Sequence, residues 1–170
     1  MKNVQSNSVL TPVVQQVKNN STSWVGHRHG ETKDRITGQT FICPTEGLLG
    51  CIEILSNHVT NKGNIELTIH EFDPEGKIWG PVMANSTVEF TADTTGKWVA
   101  FPLSGLPLHK GKVYAFRLKS DDALIGIGEA ASSAHNKTDI NGQEWIAVSG
   151  NTQGKYFSYL SLAFKVEMRA

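Results

Sequence analysis

The sequence lacks an excess of either charge: its 170 residues include 16 Lys and Arg and 16 Asp and Glu, so the formal net charge is zero. Proteins that bind nucleic acid usually carry a basic surplus, because binding releases the counterions of the phosphates. Long apolar runs are also missing, since stretches such as residues 123–127 are too short to cross a bilayer. These two absences argue against nucleic-acid binding and against a membrane span.

An export signal is missing too, because residues 1–20 are polar and lack the basic and apolar segments of a signal peptide. The richness in Ser, Thr, Asn and Gly is nevertheless typical of exported β-domains, so we predict an extracellular or cell-surface location. Only two cysteines are present, Cys43 and Cys51, on either side of a turn-like segment. They could form a disulfide across a hairpin or remain two buried thiols, and the sequence leaves both possibilities open.

Helical periodicity is scarce, and strand patterns take its place. Apolar and polar residues alternate over 65–70, and strand-like runs follow at 98–103 and 112–118 between turns that contain Pro and Gly. Such alternation is typical of antiparallel strands with one buried face. We therefore predict an all-β, two-sheet antiparallel β-sandwich that forms a single domain over residues 24–170. Residues 1–23 are predicted to be a short irregular or helical lead-in, in which Thr11 and Pro12 begin a helix.

A series of short motifs between residues 39 and 166 forms a recognisable pattern. In order, they are Gln-Thr-Phe at 39–41, Gly-Leu-Leu-Gly-Cys-Ile-Glu-Ile at 47–54, Leu-Thr-Ile-His-Glu at 67–71, Gly-Pro at 80–81, Trp-Val-Ala-Phe at 98–101, Gly-Lys-Val-Tyr at 111–114, Asn-Gly-Gln-Glu-Trp at 141–145 and Leu-Ser-Leu-Ala-Phe-Lys at 160–165. The pattern resembles jelly-roll domains of bacterial secreted and surface proteins that look like carbohydrate-binding modules. The resemblance implies a jelly-roll sandwich with a lectin-like or adhesive role. It does not identify a ligand, because function depends on sites rather than on folds.

Tryptophans are the first candidates for a glycan site, because a flat indole can stack on the apolar face of a pyranose. We predict Trp79, in the connection over residues 73–81, as the leading ligand-binding residue and Trp24 as the second. Loop side chains would add directional hydrogen bonds to a sugar, and the candidates are Arg28, Asp121, Asp122, Asn136 and Asp139. We predict no cofactor, although the oxygens of the Asp and Asn residues would also suit a calcium ion.

The motif Gly-His-Arg-His at residues 26–29 is the main pointer to a metal. On a strand, His27 and His29 would project from the same face and could share one metal ion. The motif resembles the first metal-binding motif of cupins, although a second cupin motif is missing downstream. It supports a metal-dependent enzyme only as a distant alternative.

The leading functional prediction is a non-catalytic, glycan-binding module, and the main alternative is a structural or adhesive domain that contacts another protein. No nucleophile elbow, P-loop or His-Glu-x-x-His motif occurs in the sequence. Glutamates such as Glu129 and Glu144 are present, but nothing in the sequence pairs any two of them across a cleft, as a glycosidase would need. We therefore predict that the protein is not an enzyme.

Overall fold

The computed structural model describes residues 9–132 and 142–169, and 70% of it is β-strand. The strands are β1 (Thr11–Gln16), β2 (Ser21–Gly26), β3 (Arg35–Ile42), β4 (Gly47–Asn61), β5 (Gly63–Asp73), β6 (Ile78–Phe90), β7 (Trp98–Leu108), β8 (Val113–Lys119), β9 (Leu124–Ala131), β10 (Glu144–Val148), β11 (Asn151–Phe157), β12 (Leu160–Leu162) and β13 (Phe164–Arg169). A single 3-10 turn, Ala92–Thr94, follows β6. The all-β prediction is confirmed, and the described residues contain no α-helix.

The alternation seen in the sequence matches the burial of the strands. In β5, the side chains of Ile65, Leu67 and Ile69 are all fully buried. In β7, the apolar residues at 99, 101 and 103 are buried, and Trp98 projects from the other face, where the Lys165 ammonium lies 4.3 Å from its ring centroid. Successive side chains of a strand point to opposite faces, so one face of each strand supplies the core.

Every strand pairing is antiparallel, and the strands form one sheet that curls into a half-barrel. Its main path runs β1-β13-β4-β9-β2-β3-β8-β5-β6, while β7 pairs with β4, β12 with β9, and β10 with β3 and β11. The concave side is filled by rings such as Phe41, Phe116 and Phe164, whose centroids lie 5.5–6.5 Å apart. Burying one such side chain contributes roughly 1.5–3 kcal/mol, so this apolar filling holds the curled sheet together.

Strand β4 connects two parts of the sheet. Its first part pairs with β7 and β13, with Ile54 opposite both Val99 and Phe164. Its second part, from Ser56 onwards, pairs with β9 instead. Register shifts occur on both of these pairings, and a shifted register is the usual mark of a bulge that bends a strand. The sheet therefore curls through β4 without a break in the chain.

The helix predicted for the lead-in is wrong. Residues Thr11–Gln16 form β1, which pairs with β13, and Val14 and Gln16 turn inward on it. The Gln16 side-chain amide donates to the backbone carbonyls of Ser161 and Leu162, at 3.4 Å and 3.2 Å. The Val-rich segment is thus held by tertiary pairing, which overrides a local start signal such as Thr-Pro.

Both cysteines are free, buried thiols, so the disulfide alternative is not realised. The Cys43 thiol donates to the Thr45 carbonyl, and the Cys51 thiol donates to a Glu167 carboxylate oxygen at 2.9 Å. Burial, together with the adjacent Glu167 carboxylate, raises the pKa of Cys51 to about 12. This thiol therefore stays protonated and unreactive at neutral pH.

Among the described residues, no helix is long and apolar enough to span a membrane.

Candidate functional site

The most distinctive surface feature is a cleft where strands β2 and β3 separate. In the described chain, these strands are joined by one bridge, between Gly26 and Arg35. Beyond it, residues 35–39 of β3 pair with all of β10, and β2 faces a space of about 710 Å³. We call this space the main cleft; its walls include Ser23 and Trp24 from β2, Glu129 from β9, Ile146 and Val148 from β10, and residues 30–33 of the intervening turn.

Trp24 stands at the border of the main cleft because of a glycine in the next strand. Gly126 of β9 lies opposite Trp24 on one side and opposite His58 of β4 on the other. With no side chain at Gly126, the two rings meet across β9 in a stacked arrangement, with centroids 6.0 Å apart and an interplanar angle of 17°. A Cβ at position 126 would lie 3.3 Å from His58 and closer still to Thr22. The missing side chain thus leaves room for His58 to approach the Trp24 ring.

A second cleft, of about 500 Å³, lies on the other side of Trp24. Its lining residues are Trp24, Arg28, His29, Arg35, Thr60, Asn61 and Leu124, and we call it the basic cleft. The turn that carries Arg28 and His29 depends on Gly26 and Gly30, whose φ angles are 111° and 87°. These values favour glycine, and a Cβ on Gly26 would also collide with the Ala123 carbonyl. Trp24 and Arg28, which are close together in the sequence, are therefore also neighbours in one cleft.

The two histidines of the metal prediction do not lie on a strand, so the expected shared strand face is wrong. Strand β2 ends at Gly26, and His27 and His29 fall in the following turn. The His27 Nδ1 atom lies 2.8 Å from an Asp34 carboxylate oxygen, and the Asp34 backbone N–H donates to the Ser149 hydroxyl. His27 thus serves to connect the turn to β3 and β10. Within the described ranges, no group of three or more His, Cys, Asp or Glu residues is arranged to hold a metal ion.

Two glutamates that the sequence analysis could not pair are adjacent at the base of the main cleft. Glu144 lies opposite Gln39 in the β10–β3 pairing, and Glu129 lies opposite Leu162 in the β9–β12 pairing. The Gln39 side-chain oxygen accepts a 2.9 Å hydrogen bond from the Leu162 backbone N–H, which joins the two strand pairs. The carboxyl groups of Glu129 and Glu144 meet as a result, and we call them the acid pair.

Within the acid pair, the surroundings of Glu144 hold its carboxyl group in the neutral form. Glu144 is completely buried, and neither of its carboxyl oxygens has a hydrogen-bond partner among the described residues. Burial raises the pKa of Glu144 to about 10, and the nearby Glu129 carboxyl adds to the rise. Glu144 is therefore a neutral acid at pH 7. Only Glu129, which is 5% exposed, lines the cleft.

No local signal in the sequence could have found the acid pair. The two residues sit on different strands, and what brings them together is a contact between Gln39 and Leu162, which are 123 positions apart. Strand parity alone gives the face on which a glutamate lies, not its neighbour across the sheet.

Trp79 lies within β6 rather than in the loop where the sequence analysis placed it. Its indole N–H donates to the Tyr156 hydroxyl at 2.8 Å. Its ring lies 4.9 Å from that of Trp145 and 5.6 Å from that of Phe72, and His70 approaches its edge at 5.2 Å. We call these five residues the aromatic cluster. Trp79 is therefore a packing partner on the outer side of the sheet, away from Trp24.

The predicted aspartates lie apart from the two clefts beside Trp24. Asp121 borders a separate cleft of about 540 Å³ together with Asp34, Glu66 and Ser149. One Asp122 oxygen accepts hydrogen bonds from the Ser120 hydroxyl and the Asn64 backbone N–H, at 2.9 Å and 3.1 Å, so Asp122 fixes a turn. Asn136 and Asp139 lie outside the described residues.

Comparison of the chain with known protein families and with curated proteins finds no match.

Proposed function

We propose that the protein is a non-catalytic carbohydrate-binding module whose site is centred on Trp24. The observation that carries the proposal is the position of this half-buried indole between two clefts, where it borders both. A sugar ring needs a flat aromatic platform and directional polar groups at its edge. Trp24 offers the first, while Arg28, Arg35 and Asn61 offer the second.

In this proposal Trp24, rather than the Trp79 predicted from the sequence, is the leading ligand-binding residue. The Trp79 ring is surrounded by Trp145, Phe72 and His70, and its N–H is already bonded to Tyr156. A ligand would have to displace these contacts to stack on it. The Trp24 ring has His58 on one side and borders open space in both clefts, so stacking there needs no rearrangement.

We further propose that the curled sheet is a jelly-roll-like sandwich with two facing halves, as in the secreted and surface domains that the motifs resemble. Support comes from β4, whose first part pairs with β7 and β13 and whose second part pairs with β9. An extracellular or cell-surface location belongs to the same proposal and is supported by the Ser-, Thr-, Asn- and Gly-rich composition.

A glycan array with soluble and insoluble polysaccharides tests the function. We expect hits that Trp24→Ala removes and that Trp98→Ala keeps. Trp98 is a suitable control because it too is a half-buried tryptophan on a strand, but it packs under Lys165 elsewhere in the sheet. Silence across the array, or hits that survive Trp24→Ala, would overturn the proposal.

A second candidate, an adhesive domain that contacts another protein, is favoured by strand β6. This strand is at one end of the strand order, and it exposes Ile78 and Val82, at 61% and 52%. An edge strand with exposed apolar side chains can pair with a strand of another chain. Light scattering of the wild type and of Val82→Lys tests this. A dimer mass that the lysine abolishes supports the adhesive role, and a monomer at all concentrations counts against self-association.

A further inference from the structure

We propose that the basic cleft binds the carboxylate of an acidic sugar while the neighbouring ring of the same glycan stacks on Trp24. The inference rests on the proposed glycan-binding function and adds the chemical class of the ligand. It is based on the charged residues of the basic cleft, which play no part in the stacking of a sugar ring on Trp24.

The lining of the basic cleft is unusually one-sided in charge. Arg28, His29 and Arg35 all border it, and none of its described lining residues is an acid. Thr60 and Asn61 lie on the β4 side and can donate hydrogen bonds. The chain as a whole is neutral, so this local excess is a property of the cleft rather than of the surface in general.

Of the two arginines in the cleft, Arg28 is the one available to a ligand. Arg35 shares its charge with Glu31, at 3.2 Å. Among the described residues, no carboxylate forms an ion pair with Arg28. An arginine presents a planar fork of N–H donors that matches a carboxylate in two parallel hydrogen bonds. A planar anion on the ligand is therefore the natural partner of Arg28.

The turn holds Arg28 in position before any ligand arrives. The Glu31 backbone N–H donates to the Arg28 carbonyl at 3.0 Å, and Gly26 and Gly30 provide the positive φ angles at both ends. The His27 backbone N–H donates to the Ala123 carbonyl at 2.8 Å, so the turn is also tied to the start of β9. Such preorganisation lowers the entropy lost on binding.

The main cleft differs in charge and gives the ligand a direction. Glu31 and Glu129 line it together with Lys33 and Arg35, so it has no excess of basic residues. Sugar hydroxyls can donate to the glutamate carboxyl oxygens there. An acidic oligosaccharide would therefore lie with its carboxylate beside Arg28, one ring over Trp24 and its neutral part toward Glu129.

The test compares acidic oligosaccharides with their methyl esters, which keep the sugar ring and remove the charge. The probes are tri-galacturonate, a hyaluronan tetrasaccharide and sialyllactose, titrated calorimetrically into the full chain. We expect at least one acid to bind ~10-fold or more tightly than its ester, because the ester cannot form the charge-assisted bidentate contact with an arginine. Arg28→Ala should remove that difference, and added salt should reduce it.

Arg169→Ala is the matched control, because Arg169 is an exposed arginine paired with Leu48, near the opposite end of β4 from Thr60 and Asn61. Arg28 is exposed as well, so neither variant removes a core contact. Equal binding of acids and esters, or binding of the acids that Arg28→Ala leaves intact, overturns the acidic-sugar inference while the glycan proposal stands. Array hits confined to neutral sugars have the same consequence. Silence on the array overturns both.

Discussion

Trp24 and Trp79 are both half-buried and both lie on strands, yet their surroundings differ in kind. Trp79 has its N–H bonded to Tyr156 and aromatic rings within 6 Å on several sides. Trp24 touches one ring, that of His58, and borders two open clefts lined by charged side chains. The same residue type, half-buried in both places, thus stabilises the fold in one and offers a binding surface in the other. The two tryptophans differ in whether the indole N–H and the ring faces already have partners.

Among the substitutions that test this comparison, Trp145→Ala is expected to have the largest effect on the free energy of unfolding. Trp145 is 1% exposed and lies beneath Trp79 in the aromatic cluster. Removing it leaves a large cavity and loses the ring contacts, so the free energy of unfolding should fall by about 3–5 kcal/mol. Urea denaturation followed by tryptophan fluorescence measures this. A loss below about 1 kcal/mol would mean that the cluster is not a packing centre, and Trp79 would then return as a candidate platform.

The next effect concerns the acid pair beneath the main cleft. The pKa of Glu144 is raised to about 10 in the folded protein, against an ordinary value of 4.5. Between these two values the folded state holds a proton that the unfolded chain releases. The free energy of unfolding should therefore decrease as the pH rises, by at most about 1.4 kcal/mol per pH unit. Below pH 4.5 both states are protonated, and this loss is absent.

Glu144→Gln isolates that effect, because an amide has nearly the shape of the neutral acid and does not titrate. The variant should be more stable than the wild type at pH 8, with an advantage that shrinks toward pH 5. Denaturation series at several pH values measure the difference, and Glu75→Gln, in the exposed turn after β5, is the control. A difference that does not change with pH between 5 and 9 would show that Glu144 is not neutral in the folded protein.

The smallest effect is expected from Tyr156→Phe, which removes the hydroxyl that accepts the Trp79 N–H. The ring contacts remain, so the free energy of unfolding should fall by about 1 kcal/mol, typical of one lost hydrogen bond. Glycan binding at Trp24 should be unaffected. If binding were lost while stability stayed unchanged, the two tryptophans would not be separate in function, and the comparison would fail.

The strand pattern was readable in the sequence wherever one face of a strand meets the core. The alternation in β5, β7 and β8 matches the buried residues, such as Leu67, Phe101 and Phe116. The Asp-Pro-Glu-Gly turn after β5 was also visible, but β6 begins at Ile78, inside the connection predicted over residues 73–81. This error moved Trp79 from a strand to a loop and made it look exposed. Turn chemistry marks where a strand stops more clearly than where the next one starts.

The candidate site was harder to predict because it depends on contacts between distant strands. Trp24 and Arg28 are close in sequence, in or beside the Gly-His-Arg-His motif at residues 26–29. The position of Gly126 opposite Trp24, the stacking of His58 and the meeting of Glu129 with Glu144 all follow from sheet register. Register is set by the whole fold, so a pattern confined to one strand carries no information about it.

The pairing of β4 also has a consequence for how the chain folds. One side of β4 pairs with β7, which follows it closely, whereas the other side pairs with β13, so that Ile54 meets Phe164. During synthesis on the ribosome, that second edge of β4 stays open until β13 has emerged. Sheets built from such distant partners fold slowly, on a scale of about milliseconds to seconds, and an open strand edge invites pairing with other chains. The chain is therefore most prone to aggregation during synthesis after β7 has emerged and before β13 has emerged.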